Sequence, residues 1–206
     1  MFILGINAYH GDSPACLVKD GNLVSAAEEE RFRRIKHWAG FPSQAIGYCM
    51  EQAGIGLADI DHIAINSDPK ANLWKKIKFT LSKSPDLGMV MDRIRNTKER
   101  MSVHSELERC FPGLRLTAQV HHVEHHLAHL ASCFMVGPFK DAVAVSVDGF
   151  GDFASAAWGV GSGTSLDVES RVYFPHSLGI FYQAITQYLG FPHYGDEYKV
   201  MGLAPA

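Results

Sequence analysis

Short apolar runs separated by polar turns open the chain. The runs cover residues 2–8, 14–18 and 23–27, and each has the length and composition of a β-strand. Between the second and third runs lies Asp20-Gly21, a pair that favours a tight hairpin because glycine tolerates a positive φ. The pattern therefore predicts three consecutive strands, the first two joined by a polar loop and the last two by this turn.

Helical and strand-like patterns alternate over the remainder of the chain. Ser43 is a candidate N-cap for a helix that Gly54 would end. Further strands are expected at residues 62–66, 114–120, 142–147, 153–160 and 165–174, and further helices at 124–135 and 178–189, with a glycine-rich turn at 148–152 and a loop from 195 onwards. Residues 69–112 predict a helical insertion with a basic side that is either solvated or a docking surface. A mixed α/β fold follows.

The composition excludes several functional classes. The chain has 206 residues, a formal charge of −3 and 47% hydrophobic residues, which are typical of a globular protein. No half carries a strong basic excess, so we expect no nucleic-acid partner. No run approaches the roughly 20 apolar residues that span a bilayer, so we also expect no membrane partner. The four cysteines are far apart, as in a reduced, cytoplasmic protein.

Histidine is the outlier in this composition, with eleven residues. Five of them fall within nine positions, and residues four apart share one face of a helix. The pairs with this spacing are His121/His125, His122/His126 and His125/His129. Neutral imidazoles so spaced chelate divalent metals when a carboxylate completes the shell. We favour His125 and His129, because both lie inside the predicted helix, whereas the first two histidines lie at its junction with a strand.

A zinc hydrolase is the weaker interpretation of the same segment. His121, Glu124 and His125 spell the HxxEH pattern of inverted zinc proteases, in which the glutamate is the general base and the two histidines bind zinc. The pattern begins at an expected strand end, and no downstream acidic ligand is evident in the sequence.

Three further segments carry candidate chemistry. Asp148-Gly-Phe-Gly-Asp152 follows a hydrophobic strand, where α/β sheets place ligands, and its glycines would let backbone N–H groups approach phosphate oxygens. With the histidine pair, this motif indicates a metal and phosphate site.

His10, in the loop after the first strand, is of the residue type suited to proton transfer near neutral pH. In the charged run that follows the third strand, Arg34 or Lys36 would face an anionic substrate, unless the run is a solvated helix.

A series of motifs extends along the chain in a fixed order. Those near the start are Ile3-Leu-Gly-Ile-Asn, His10-x-Asp-Ser, Asp20-Gly, Ala27-Glu-Glu-Glu-Arg-Phe-x-Arg-x-Lys-His37 and Phe41-Pro42. Those further on are His125-His-Leu-Ala-His-x-Ala-Ser132, Pro138-Phe139, Val147-Asp-Gly-x-Gly-Asp152, Ser177-Leu-Gly-x-Phe-Tyr182 and Gly195-Asp-Glu-Tyr-Lys-Val-Met-Gly-Leu-Ala-Pro205. In this order and at these spacings they resemble the nodulation-type O-carbamoyltransferases, a family with enzymes that carbamoylate antibiotics and Nod factors.

The resemblance implies a fold and a metal site. The fold is of the actin/Hsp70/sugar-kinase type, in which two RNase H-like halves, each with a mixed sheet flanked by helices, enclose a nucleotide. Residues 1–206 would be the N-terminal half of such a domain, with the insertion at 69–112. The metal ligands of this chain would be His125, His129 and Asp148, and an Asp from the other half would complete the site. The metal would be iron or zinc, since a set of two histidines and carboxylates suits both.

The same resemblance implies roles for residues outside the metal site. His10 would be the catalytic histidine of the acceptor site, and Lys36 would lie near a carbamoyl-adenylate. The residues expected to approach the nucleotide are Asp148, Gly149, Gly151, Asp152 and Gly179.

Full-length relatives of this kind are two-step enzymes. A YrdC-like domain makes carbamoyl-adenylate from carbamoyl phosphate and ATP, and the actin-like domain moves the carbamoyl group to a hydroxyl of a small-molecule acceptor. The sequence stops at a Gly-Leu-Ala-Pro motif, so we expect the second half and the YrdC-like domain to be missing partners, and this piece to fold but to be inactive alone. The alternative is a non-catalytic module that binds a metal or a nucleotide for a partner protein.

Overall fold

The computed structural model describes residues 1–83, 103–113 and 116–204. Its contacts divide the chain into two compact units, each formed by two stretches of chain. The first unit comprises Met1–Asn66 and Lys83–Val123, and the second comprises Ser67–Ser82 and Glu124–Ala206. Residues 84–102 of the expected insertion, residues 114 and 115 of an expected strand and the last two residues lie outside the described residues.

Strands and helices are mixed along the described residues, which confirms the expected α/β class. The strands are β1 (Phe2–Ile6), β2 (Pro14–Lys19), β3 (Asn22–Glu28), β4 (His62–Ile65), β5 (Gln119–His122), β6 (Asp141–Gly151), β7 (Ala154–Ser162) and β8 (Ser165–Tyr173). The helices are α1 (Glu29–Arg33), α2 (Ser43–Ala53), α3 (Leu73–Lys83), α4 (Val103–Cys110), α5 (His125–Phe134), α6 (Leu178–Tyr188) and α7 (Glu197–Leu203), with a 3₁₀ turn at Leu57–Asp59. Among these helices none is long and apolar enough to cross a membrane.

The first unit is built on a five-stranded sheet with the order β3-β2-β1-β4-β5. Strands β1, β2 and β3 pair antiparallel, whereas β4 is parallel to β1 and β5 is parallel to β4. This order and these directions are those of an RNase H-like sheet, as the resemblance implied. The loop that carries His10 leaves β1 at the edge where parallel strands end, which is where α/β sheets bind ligands.

The predicted hairpin between β2 and β3 is confirmed. Lys19 pairs with Asn22, so the loop between them consists of two residues. Asp20 has a φ of 49° and Gly21 a φ of 82°, as a type I′ turn requires. The strands are therefore joined by a turn whose twist matches their own.

A buried glutamate from α1 caps helix α2. The helix begins at Ser43 itself, so the expected N-cap role of Ser43 is wrong. The Glu29 carboxylate instead accepts hydrogen bonds from Gln44 N at 3.2 Å and from Ala45 N at 2.8 Å. Arg33 Nε donates to the same carboxylate at 2.7 Å, and Glu29 is fully buried. The charged run after β3 is therefore in part a core structure and not simply a solvated helix.

Apolar side chains of the first unit form one core. Leu4 of β1, Leu17 of β2 and Ile63 of β4 are fully buried, and Ile46 of α2 and Leu107 of α4 pack in the same cluster. The alternation of buried and half-buried positions along β1 and β4 places these residues on one face of the sheet.

The second unit contains an antiparallel sheet with the order β6-β7-β8. Leu130 and Phe134 of α5 pack on Ala144 of β6 and Ala157 of β7. The i, i+4 spacing of the two α5 residues turns one face of that helix to the sheet. Its packing on β6 brings the helix and the end of the strand together, which positions the site described below.

The bounds of β5, of β6 and of the C-terminal segment differ from the sequence-based expectations. Strand β6 runs on to Gly151, so the turn comes at Asp152 and Phe153, whose φ angles are 48° and 73°. The expected turn at 148–152 is therefore wrong, because the chain keeps pairing through a bulge before it reverses. Strand β5 starts later and ends later than expected, and the expected terminal loop contains α7. The described parts of the expected insertion include α3 and α4.

Candidate metal centre

Two histidines of α5 and one aspartate of β6 converge in the second unit. His125 Nε2 lies 2.8 Å from Asp148 Oδ2, and His129 Nε2 lies 3.5 Å from the same oxygen. The two Nε2 atoms are 3.1 Å apart. The structure thus brings together the three residues for which a metal was expected, and their binding of a metal stays a prediction.

The cluster is closed on one side and open on the other. The His125 side chain is 7% exposed, whereas those of His129 and Asp148 are 47% and 41% exposed. The pKa of Asp148 lies far below its usual range. The hydrogen bond with His125 is the largest cause, the hydrogen bond with His129 is the second, and both act against the effect of burial. Asp148 is therefore a carboxylate at neutral pH, which is the form that binds metals.

The donor set fits a divalent transition metal. Two imidazole nitrogens and a carboxylate oxygen lie within 4.8 Å of one another. Ligand atoms bound to one zinc ion at about 2.0–2.1 Å are separated by roughly 3.3 Å in tetrahedral geometry. The three separations here span that value, so an ion needs only small adjustments of these side chains, and further ligand positions stay open towards solvent.

Glu124 fixes the start of the helix that carries both histidines. Its carboxylate accepts a hydrogen bond from Leu127 N at 2.9 Å, which is an N-cap, and another from Arg171 at 3.1 Å. Burial opposes ionisation of this carboxyl, but the hydrogen bonds from Arg171 and from the backbone of α5, with the charge of Arg171, together outweigh burial and lower the pKa of Glu124. The first turn of α5 is thereby anchored to β8.

Asp152 holds the same helix from the turn after β6. Its Oδ2 accepts hydrogen bonds from His125 N at 2.9 Å and from Asp68 N at 2.8 Å. Asn72 Nδ2 donates to the Asp152 carbonyl oxygen at 2.8 Å. Asp152 thus connects the metal-site helix with the segment that leads into α3, a role that the sequence did not reveal, and its approach to a nucleotide stays a prediction.

Glycines line the site because side chains would not fit. A Cβ on Gly151 would overlap the ring of His125, and a Cβ on Gly179 would lie 2.5 Å from the Asp148 carbonyl oxygen. The N–H of Gly149 donates to Asp148 Oδ1 at 2.6 Å. Gly151 and Gly179 therefore have a packing reason to be glycine. The expected approach of all three glycines to a nucleotide stays a prediction.

The other histidines between residues 121 and 129 have different surroundings. His126 is buried, its Nδ1 lies 2.9 Å from Ser146 Oγ, and burial lowers the pKa of His126. His121 Nε2 lies 3.0 Å from His62 Nδ1 in the first unit, and His122 is exposed. His121 and His122 belong to β5, so the two alternative helical pairs that begin with them do not form.

The zinc-hydrolase alternative is wrong for the same reason. It needs Glu124 to act as a base between two histidines of one helix, but α5 begins at His125 and His121 lies on a strand. The Glu124 carboxylate is engaged by Arg171 and by the backbone of α5. It is therefore not placed to take a proton from a water molecule.

His10 and Lys36 belong to the first unit. The carbonyl oxygen of His10 accepts a hydrogen bond from Ser13 Oγ at 3.1 Å, which shapes the loop after β1. Lys36 is exposed and follows α1, whose C-cap is Arg34 with a φ of 58°. Their contacts with an acceptor and a carbamoyl-adenylate stay predictions.

A second group of potential ligands lies in the first unit. Asp12 Oδ1 is 2.9 Å from His37 Nδ1, and Glu30 Oε2 accepts a hydrogen bond from His37 N at 3.1 Å. One ligand atom from each of the three residues lies within 4.8 Å of the others. All three belong to motifs quoted for the family resemblance, but sequence spacing did not indicate that they meet.

The fold and the site together define a mixed α/β domain with a candidate centre for a divalent metal. Comparison with known families assigns the domain. The family model described as "Carbamoyltransferase N-terminus" matches residues 2–206, and the chain belongs to this family.

Individual relatives agree with this assignment. The chain is 38% identical over 210 residues to an uncharacterized protein of Synechocystis, with 98% of this chain and 34% of the relative covered. It is 35% identical over 209 residues to the nodulation protein NolNO of Sinorhizobium fredii, with 97% and 28% covered. The chain thus spans about a third of the length of these curated relatives. The solved structure of YeaZ from Pseudomonas aeruginosa aligns with a TM-score of 0.44 at 14% identity, covering 84% of this chain and 67% of that one.

Proposed function

We propose that the chain is the part of an O-carbamoyltransferase that binds a divalent metal, iron or zinc, and takes part in moving a carbamoyl group to a hydroxyl of a small-molecule acceptor. The observation that carries this proposal is the convergence of His125 Nε2, His129 Nε2 and Asp148 Oδ2 in a chain of the carbamoyltransferase family. Carbamoyl phosphate and ATP would supply the group as carbamoyl-adenylate. The remainder of a longer protein would supply the other catalytic parts.

The proposed metal site suits a leaving phosphate. A divalent ion there would supply positive charge that stabilises AMP as it departs. The residues of this chain hold the site in place: Asp148 stays ionised at neutral pH, and the open side of the cluster, at His129 and Asp148, is the side from which a phosphate oxygen can approach. Gly149 keeps the backbone beside Asp148 free of side-chain bulk for that approach.

His10 and Lys36 would complete the transfer. The acceptor oxygen attacks the carbamoyl carbon, a new C–O bond forms, the bond from that carbon to the AMP oxygen breaks, and AMP leaves with the electron pair. His10 takes the proton of the attacking hydroxyl as a general base. The Lys36 ammonium lies near the adenylate and balances its negative charge.

Metal analysis of single variants tests the first part of the proposal. The purified chain is expected to bind about one ion, and His129→Ala should lower the metal affinity at least tenfold because a direct ligand is lost. His122→Ala is the matched control, since this exposed histidine lies on β5. Equal losses in both variants would contradict the assignment of the ligands.

Transfer of labelled carbamoyl groups tests the second part. This chain replaces the matching segment of the Synechocystis relative, and the chimera is incubated with carbamoyl phosphate, ATP and a panel of hydroxylic acceptors. We expect labelled product from the parent chimera and at least a hundredfold slower transfer for His10→Ala, with the metal retained. Undiminished transfer by His10→Ala would remove this residue from the reaction.

A further inference from the structure

Helix α3 contacts aromatic rings of the second unit through Phe79 and through Lys75, whose Nζ lies 4.8 Å from the centroid of the Tyr173 ring. The ring centroid of Phe79 lies 4.9 Å from that of Phe174 and 5.9 Å from that of Phe153, in edge-to-face geometry. Asn72, directly before the helix, is held by its hydrogen bond to the Asp152 carbonyl. The helix therefore has a defined inner side, and Phe79 marks it.

The outer side of α3 carries an apolar stripe. Trp74, Ile77 and Leu81 are three and four residues apart, so they share one face, and 100° per residue places that face opposite Phe79. Trp74 is 82% exposed, Leu81 77% and Ile77 39%. A surface helix ordinarily turns such a stripe towards the core. On α3 the stripe instead faces away from Phe79, and Trp74 is its most exposed side chain.

The same segment has a strong positive charge. From Lys70 to Lys83 the sequence contains five lysines and no acidic residue. Over residues 70–100 there are nine Lys and Arg against three Asp and Glu, in a chain whose formal charge is −3. Lys78, four residues after Trp74, is exposed and lies beside it on the helix surface, whereas Lys75 lies on the side of Phe79. An apolar stripe with a tryptophan is thus bordered by cations, in the most basic part of the chain.

We propose that α3 docks the protein onto an anionic lipid surface. Tryptophan is favoured at the headgroup level of bilayers, leucine and isoleucine enter the acyl boundary, and lysines attract anionic headgroups. An acidic protein partner would satisfy the lysines but gives less reason for the exposed tryptophan. The expectation of no membrane partner rested on the lack of a spanning run. That expectation does not apply to a helix that lies in the plane of the membrane–water interface.

Vesicle co-sedimentation tests this proposal. The purified chain is mixed with vesicles of phosphatidylcholine alone or with vesicles that contain about one third phosphatidylglycerol. We expect it to pellet with the anionic vesicles, to pellet little with the neutral ones, and to be released at high salt, since electrostatic attraction to a surface is screened. Trp74→Ser/Leu81→Ser and Lys78→Glu should each weaken binding at least about tenfold.

Matched variants separate this docking from nonspecific adhesion. Val136 and Phe139 are 83% and 67% exposed, so Val136→Ser/Phe139→Ser removes comparable apolar surface elsewhere. This control should bind anionic vesicles as the parent does, and circular dichroism should show that every variant keeps its fold. Failure of the parent to pellet with anionic vesicles, equal pelleting with neutral ones, or undiminished binding by either α3 variant would overturn the proposal.

Discussion

Gly151→Ala is the most selective way to disturb the metal centre without removing a ligand. A Cβ at this position would overlap the His125 ring. Nonbonded carbon atoms lie about 3.5 Å apart or more, so the ring would have to retreat by roughly 1 Å or more. Metal–nitrogen bonds of about 2.0–2.1 Å do not tolerate such a displacement.

The expected loss of metal affinity follows from this displacement. Changes in residues that orient metal ligands typically cost about 10- to 100-fold in affinity. We expect Gly151→Ala to weaken binding at least tenfold, which corresponds to about 1.4 kcal/mol. The atoms nearest to the new methyl group all belong to His125 and not to His129 or Asp148, so some metal binding should persist.

Competition with a chelating dye measures this effect. Zinc is titrated into a mixture of dye and protein, for the parent and for each variant. Gly149→Ala is the matched control, because the nearest atom to its added Cβ would be Ile180 Cδ1 at 3.8 Å, an ordinary contact. An affinity of folded Gly151→Ala equal to that of the parent would refute the geometry described for His125.

Three further predictions concern the rest of the fold. Glu29→Ala should lower the free energy of unfolding by about 2–4 kcal/mol in urea titrations, because two helix amides and a partly buried arginine lose their partner; Glu28→Ala, on the surface, should change it by less than about 0.5 kcal/mol. His126→Gln should lower the free energy of unfolding by about 1–3 kcal/mol, because this buried ring hydrogen-bonds to Ser146. The metal content should not change, because neither residue belongs to the candidate metal ligands. Burial raises the pKa of the Cys49 thiol, so iodoacetamide followed by mass spectrometry should label the exposed Cys133 first; preferential labelling of Cys49 would contradict its burial.

The elements that sequence patterns predicted well are those fixed by local physics. The hairpin at Asp20-Gly21 needs a positive φ at both positions, and α5 follows from its own apolar periodicity. The N-cap of α2 was missed because its cap is Glu29, which is distant in sequence. The extension of β6 to Gly151 was missed because pairing with β7 outweighs the local turn preference of glycine.

The candidate site divides in the same way. His125 and His129 meet because four residues make one helical turn, so their pairing could be expected from spacing alone. Their contact with Asp148 depends on how α5 packs on β6, which spacing does not encode. The motif after β6 indicated a metal and phosphate site together with the histidine pair, and the family resemblance implied Asp148 as a ligand. The roles of Glu124, Asp152 and Gly151 in holding the histidines became visible only in the structure.

X-ray absorption at the metal edge of the zinc-loaded chain tests the proposed centre at its ligands. The geometry predicts nitrogen and oxygen neighbours at about 2.0–2.1 Å, an outer-shell signal from two imidazoles, and no sulfur at about 2.3 Å. The imidazole signal should fall in His125→Ala and in His129→Ala, and should persist in His122→Ala. A sulfur neighbour, or an imidazole signal that survives the loss of both His125 and His129, would contradict the proposed centre.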